Sequence, residues 1–135
     1  GKTYIAIYIF ILRVLEAKGG SLFLATGYNL SVLRNNIEQI FDEFKMVYNR
    51  DYTYNSLLYR YQIGNKTIRL CGANNKRSYY NIRGCTATGW YANEIVLQEK
   101  SVIYECIKRV STVKRFKIWD TNPASSQHYI YRDFI

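Results

Sequence analysis

Residues 21–26 (SLFLAT) form a short apolar run set between Gly19-Gly20 and Gly27. A run of this length without polar alternation predicts a strand buried on both faces, and such strands belong to sheets covered by helices. The stretch before it has helical spacing. Across residues 3–18, Ile5, Tyr8, Ile9, Leu12 and Leu15 recur at helical intervals, with Arg13, Glu16 and Lys18 towards the end and Gly19-Gly20 as the stop. The apolar run from Tyr4 to Leu12 is about half the ~20 residues needed to span a bilayer, and no cleavage site follows it. It reads as a buried helix.

The alternation continues. Ser31 opens a second amphipathic stretch carrying Leu33, Ile37, Ile40, Phe41 and Phe44 on one face. Alternating residues at 57–63 and 67–71, joined by Gly64-Asn65, predict a hairpin. Residues 73–84 are polar and loop-like, and 86–93 form a weak strand ending in Asn93-Glu94. A helix is expected over about 97–110, with Val102, Ile103, Cys106, Ile107 and Val110 on one side. A strand from Phe116 to Trp119 then leads into Asp120-Thr121-Asn122-Pro123, and a last helix starts near Ser126. Helix–strand alternation of this kind predicts an α/β fold, a mainly parallel sheet with flanking helices. Ligands on such sheets bind beyond the carboxyl ends of strands, so the tips after residues 26, 93 and 120 are the places to look.

At 135 residues the chain is one domain at most, and 48% hydrophobic residues suffice for a core. Its formal charge is +9. No acidic residue lies between Asp51 and Glu94, a stretch holding Arg60, Lys66, Arg69, Lys76, Arg77 and Arg83. A second basic run comprises Lys108, Arg109, Lys114, Arg115 and Lys117. Such surfaces attract polyanions through phosphate contacts, although a solvated basic face is the plainer reading of charge alone. The 14 tyrosines choose no function, since tyrosine packs, bridges to water or stacks on bases. Cys71, Cys85 and Cys106 are odd in number and without a C-x-x-C pair, which predicts reduced thiols, and the lone His128 argues against a histidine metal centre.

Three places carry candidate chemistry. Gly1-Lys2-Thr3, directly before a helix, is the last third of G-x-x-x-x-G-K-[ST]. Backbone N–H groups and the dipole at a helix start hold phosphate oxygens; Lys2 would reach the β- and γ-phosphates and the Thr3 hydroxyl would ligate Mg²⁺. Asn93-Glu94 closes a strand. A carboxylate there can polarise an attacking water, and Asn93 stands where a second acid would help to hold Mg²⁺; the alternative is that Glu94 caps the helix that follows. Asp120-Thr121-Asn122-Pro123 follows another strand, where short polar groups can sense a γ-phosphate while the proline fixes the turn, or serve as a cap and turn.

The segments G-K-T-Y (1–4), L-F-L-A-T-G-Y-N-L-S-V-L-R-N-N-I (22–37), Y-N-I-R-G-C-T-A-T-G-W-Y-A-N-E-I (80–95) and W-D-T-N-P (119–123) together resemble the ATPase domain of phage terminase large subunits. The most specific block is I-R-G-x-T-A-x-G-x-Y-x-N-E with T-N-P about thirty residues on. The resemblance implies a P-loop NTPase fold of the RecA/ASCE-like kind, covering 1–135 as an ATPase domain. It implies ATP and Mg²⁺ as cofactors, with Gly1, Lys2 and Thr3 at the end of the Walker A loop and Thr3 and Asn93 towards the metal. Glu94 becomes the glutamate that activates water, and Thr121 and Asn122 the coupling motif. Arg83 matches an arginine that can act on a neighbouring subunit's nucleotide, against the plainer reading of a solvated or DNA-contacting side chain. The implied partners are double-stranded DNA, a portal protein, a small terminase subunit and further copies in a homo-oligomeric ring, without membrane association, in the host bacterial cytoplasm during viral genome packaging by a bacteriophage or prophage.

Two departures qualify this. Asn93 replaces the usual acid. The chain also begins at Gly1, so the glycine-rich arc of the loop and the C-terminal nuclease domain lie outside it, and poor ATP binding by this polypeptide alone is expected. The competing readings are a non-catalytic nucleic-acid-binding module built on the acid-free 52–93 region, a prophage terminase remnant, and another P-loop ATPase such as a helicase. For the last, no D-E-x-H or D-E-A-D run is found.

Overall fold

The computed structural model describes residues 2–18, 21–48, 51–75, 77–111 and 114–121, without the side chains of residues 2 and 44–48. Helix α1 (Lys2–Glu16) leads into strand β1 (Leu22–Gly27), helix α2 (Leu30–Tyr48), and strands β2 (Thr53–Asn55), β3 (Arg60–Ile63) and β4 (Lys66–Gly72). A 3₁₀ turn at Ser78–Asn81 precedes β5 (Gly89–Asn93); a second at Ile95–Leu97 precedes helix α3 (Lys100–Arg109), and β6 (Phe116–Trp119) follows. The expected helix near Ser126 lies outside the described residues.

The strands form one sheet in the order β2-β3-β4-β1-β5-β6. β4, β1, β5 and β6 run parallel, while β2 and β3 extend the sheet antiparallel to β4. The expectation of a mainly parallel sheet therefore holds for four strands and is corrected for the outer two. Gly64, with φ +58°, turns the chain so tightly that β3 and β4 can only pair antiparallel. The hairpin's second arm is then the immediate parallel neighbour of β1, which the sequence does not reveal.

Both faces of the sheet are covered, which is why β1 and β5 are apolar without alternation. On one face Phe23, Ala25, Ile68 and Tyr91 meet Ile7, Phe10 and Val14 of α1 and Leu33, Ile37 and Ile40 of α2. On the other, Leu24, Trp90 and Ala92 meet Val102, Ile103 and Cys106 of α3 together with Ile82. Residues 73–84 are thus less loop-like than expected, since Ala73, Ser78 and Ile82 are buried. At Gly89 a Cβ would stand 2.3 Å from Cζ of Phe116, so only glycine lets the ring of Phe116 lie over β5.

Three further expectations need adjustment. α1 is not buried all round: Tyr4, Ile5 and Ile9 face outwards, Ile5 at 58% exposure. α2 is opened by Asn29 rather than Ser31, its side-chain oxygen accepting the Val32 N–H at 3.1 Å. The helix expected from 97 begins at Lys100, because Gln98 is extended and its amide donates to the carbonyls of Thr26 (3.1 Å) and Asn93 (2.9 Å). Lys66, counted above with the basic surface, is buried and donates to the carbonyl of Ala17.

All three cysteines are free thiols, and Cys71 and Cys106 are buried. Burial pushes the Cys71 thiol up to about 11 and the Cys106 thiol well above its usual range. Burial, aided by hydrogen bonds to carboxylates, likewise raises Tyr61 and Tyr91 strongly and takes Tyr52 up to about 12. Unfolding returns these groups to ordinary values, so above about pH 9 the unfolded chain gives up protons that the native chain keeps. Stability from this source is complete below the unfolded pKa values and is lost as pH rises towards the folded ones. Thermal melts should show Tm falling steadily from pH 9 to 11; a constant Tm over that range would contradict it.

Candidate functional site

The parallel register sets the carboxyl tips level. Gly27 pairs with both Gly72 and Asn93, and Ala92 pairs with Trp119, so Asp120 falls beside Asn93. α1 is directed to this side. Its last turn lies at the amino ends, where Lys66 reaches the carbonyl of Ala17 and Arg13 lies 4.5 Å over the Phe116 ring. One turn earlier, Phe10 packs on Tyr91, two residues further along β5 than the Gly89 that pairs with Phe116. Going back along α1 towards Thr3 and Lys2 therefore leads towards the carboxyl ends.

Asp120 is the hub of the site. It is 7% exposed, and its carboxylate accepts the hydroxyl of Tyr91, the amide of Asn93 (3.4 Å) and the backbone N–H of Glu94 (2.6 Å). The Asn93 amide also donates to the Tyr91 oxygen at 3.0 Å. The backbone of Asp120 joins in: its N–H donates to the carbonyl of Ala92 (3.1 Å), and its carbonyl accepts the Ile95 N–H (3.0 Å). The tip of β6 thereby brackets Asn93 and Glu94 from three directions. Burial first, and the Asp120 carboxylate second, hold the Tyr91 hydroxyl well above the usual tyrosine range, so it stays a donor at neutral pH.

Glu94 has left-handed backbone, φ 46° and ψ 61°. For a residue other than glycine this conformation costs roughly 1–2 kcal/mol, and such strain persists where surrounding contacts over-determine it. Those contacts are the bonds from Asp120. Glu94 makes no side-chain capping bond to the 3₁₀ turn that follows, which removes the support for reading it as a mere cap. The floor beneath is rigid as well. The Trp90 indole donates to the buried Thr26 hydroxyl at 2.9 Å, and Gln98 ties the ends of β1 and β5 together.

Of the residues singled out in the sequence, Asn93 and Glu94 are joined directly through Asp120, with the half-buried Thr121 next to it. Thr3 is half-buried at the head of α1, and Lys2 is described by its backbone only. Gly1, Asn122 and Pro123 lie outside the described residues. Arg83 is elsewhere: its guanidinium lies 4.4 Å over the Tyr80 ring, in a groove beside β4 with Arg60 and Arg69. Asp120 was named only as the first residue of the Asp120–Pro123 segment, without the clamping role it has here, and Tyr91 and Gln98 were not singled out. Tyr91 could have been, since it shares a strand face with Asn93 two residues on.

Among the described residues no group of three His, Cys, Asp or Glu side chains could hold a metal. Mg²⁺ asks for little protein, commonly one or two oxygen ligands beside phosphates and water. The Thr3 hydroxyl fits that requirement. Asn93 is held through its amide nitrogen, which donates to Tyr91 and Asp120, and its side-chain oxygen is the atom that could serve an ion or its water. Among the described residues no helix is long and apolar enough to cross a membrane.

No protein-family model and no curated protein matches the sequence. Solved structures do match. The large terminase of a thermophilic bacteriophage superposes with a TM-score of 0.87 at 20% identity, over 99% of this chain and 34% of that one. The complex of that terminase with ADP gives 0.87 at 21% identity, again over 99% and 34%. The N-terminal domain of the DNA packaging ATPase from bacteriophage phi29 gives 0.67 at 15% identity, over 96% of this chain and 72% of that domain. The chain has the fold of the phage large-terminase structures. It spans about a third of the length of the thermophilic phage's terminase. At such identities the shared terminase fold resides in strand order and layering, in agreement with the resemblance read from the sequence segments.

Proposed function

We propose that this chain is the ATP-hydrolysing part of a phage or prophage terminase, a P-loop ATPase that drives double-stranded DNA into a procapsid. The observation that carries this reading is Glu94. It stands just past the carboxyl end of β5, is held in a strained backbone by Asp120, and belongs to a chain with the terminase fold. The ADP held by the thermophilic phage's terminase and the name of the phi29 ATPase support nucleotide and DNA as ligands.

In this mechanism the first turn of α1 receives the phosphates, with the Gly1 backbone, the Lys2 ammonium and the helix dipole opposing their charge. Thr3 would hold Mg²⁺, with Asn93 in its outer surroundings, and a bound ion would supply positive charge against the phosphates. Glu94 accepts the proton of the attacking water. Thr121 and Asn122 respond to the γ-phosphate. Asp120 precedes them and grips the Glu94 backbone, so movement of the β6 tip is transmitted to the catalytic carboxylate and back. Arg83, on the outer surface, is available to a neighbouring copy's nucleotide in a ring, where a guanidinium stabilises the transferring phosphoryl group. Portal protein and small terminase subunit complete the assembly, in the cytoplasm of a bacterial host.

DNA-stimulated ATP hydrolysis by the full-length protein tests the proposal. Lys2→Ala should abolish it, and retained turnover in that variant would overturn the assignment.

A further inference from the structure

The groove beside β4 is remote in character from the site above. About 680 Å³ in volume, it is lined by Arg60, Arg69 and Arg83 together with Asn74, Ser78 and Tyr80. None of the described residues lining it is acidic, and among the described residues none of the three arginines makes an ion pair. β4 and β5 are separated by β1, which puts about 10 Å between their axes.

Arg60 and Arg69 are register partners across the antiparallel β3–β4 pair. Directly opposed side chains lie about 5 Å apart at Cβ, and like charges in that relation destabilise a sheet. Neither makes an ion pair among the described residues, and the Arg60 Nε is shut off from solvent without a hydrogen bond. The third cation is preorganised. The Arg83 guanidinium rests on the Tyr80 ring, which itself stacks on Tyr79 with centroids 4.3 Å apart and planes at 25°. Arg60 and Arg69, opposed across the sheet in a groove without acidic lining among the described residues, give it an anion-receiving wall, because the fork of each guanidinium matches phosphate oxygens.

We infer that this groove takes the phosphodiester backbone of duplex DNA. This rests on the proposed function only for its choice of partner. A polyphosphate strand is favoured over one small anion because the charge extends past the groove: Arg77 is exposed nearby in the acid-free 52–93 stretch, and the whole chain carries +9. The rim is exposed, with Tyr59 in left-handed backbone (φ 53°) and Tyr80 half out, so an extended ligand can lie along it without entering a closed cavity.

The test is binding of a fluorescein-labelled DNA duplex to the full-length protein over a range of KCl concentrations. R60Q/R69Q should weaken binding at least tenfold and lower the slope of log K against log salt by about two, one for each phosphate that is no longer neutralised. The charge-matched K108Q/K114Q, on exposed lysines outside the groove, should bind at least tenfold more tightly than R60Q/R69Q and keep a steeper slope. A Tm at or above that of the parent protein is expected for R60Q/R69Q, since a like-charge pair is removed. Should the double variant fail to fold, the single substitution Arg69→Gln carries the test, with a slope change of about one. Equal binding by R60Q/R69Q and K108Q/K114Q overturns the groove. So does binding of polyglutamate, but not duplex, that depends on Arg60 and Arg69, which would assign it to an acidic protein. ATP turnover measured on the same samples separates the two claims: a motor ATPase that binds duplex independently of the groove refutes this inference alone, whereas a protein with groove-dependent binding and no turnover refutes the ATPase reading alone.

Discussion

Glu94→Gln in the full-length protein is expected to reduce ATP turnover by about two to four orders of magnitude while nucleotide binding persists. The substitution is chosen for what it spares. Asp120 grips Glu94 through the backbone N–H at 2.6 Å, so the left-handed conformation and the bracket from β6 survive a change of side chain. Glutamine keeps the shape and loses only the capacity to accept a proton. Steady-state hydrolysis with DNA, set beside fluorescent-ATP binding, separates the two effects. Turnover within a few-fold of the parent would remove Glu94 from the chemistry. Loss of binding to match the loss of turnover would give it a role in holding nucleotide instead.

Asp120→Asn is expected to act on the same step from a neighbouring strand. The carboxylate accepts three hydrogen bonds, and the amide that replaces it cannot accept at both ends. Either Tyr91 or the Glu94 N–H then loses its acceptor in a buried place. A hydrogen bond to a charged group is worth about 1.5–3 kcal/mol, which for a domain of this size corresponds to a Tm lower by roughly 5–10 °C. Turnover should fall further than stability alone explains, by about tenfold to a hundredfold in kcat with KM little changed, as when the group that orients a functional residue is removed. Hydrogen exchange at Glu94 supplies the structural readout: its amide should exchange faster because it is bonded to the Asp120 carboxylate, whereas Ile95, bonded to the Asp120 backbone carbonyl, should change less. Unchanged exchange at Glu94 together with unchanged kcat would sink its role as a positioning residue.

Periodicity along the chain was enough to recover most elements. α1, β1 and β6 fall where their apolar spacing puts them, since a helix face or a buried strand is written in neighbouring residues. Asn93-Glu94 was legible as a strand end for the same reason. The exposed Ile5 and Ile9 were not legible, because apolar residues all round a helix do not say which side meets the sheet. The late start of α3 was hidden too: it follows from the bonds of Gln98 to Thr26 and Asn93, and the bond to Thr26 spans 72 positions in sequence.

The sequence by itself determined the alternation of helices and strands, the acid-free basic stretch, and the positions of Glu94 and Thr121 just past strand ends. Tertiary structure alone decided that β4 lies against β1, that Asp120 holds Glu94, and that Arg60 faces Arg69. The reason is physical. Local patterns report how each residue meets its own helix or strand, whereas the order of strands in a sheet is set by how the layers pack. Only that order brings the end of β6 to the end of β5, and so only the folded sheet turns an ordinary strand-end aspartate into the clamp on the candidate catalytic glutamate.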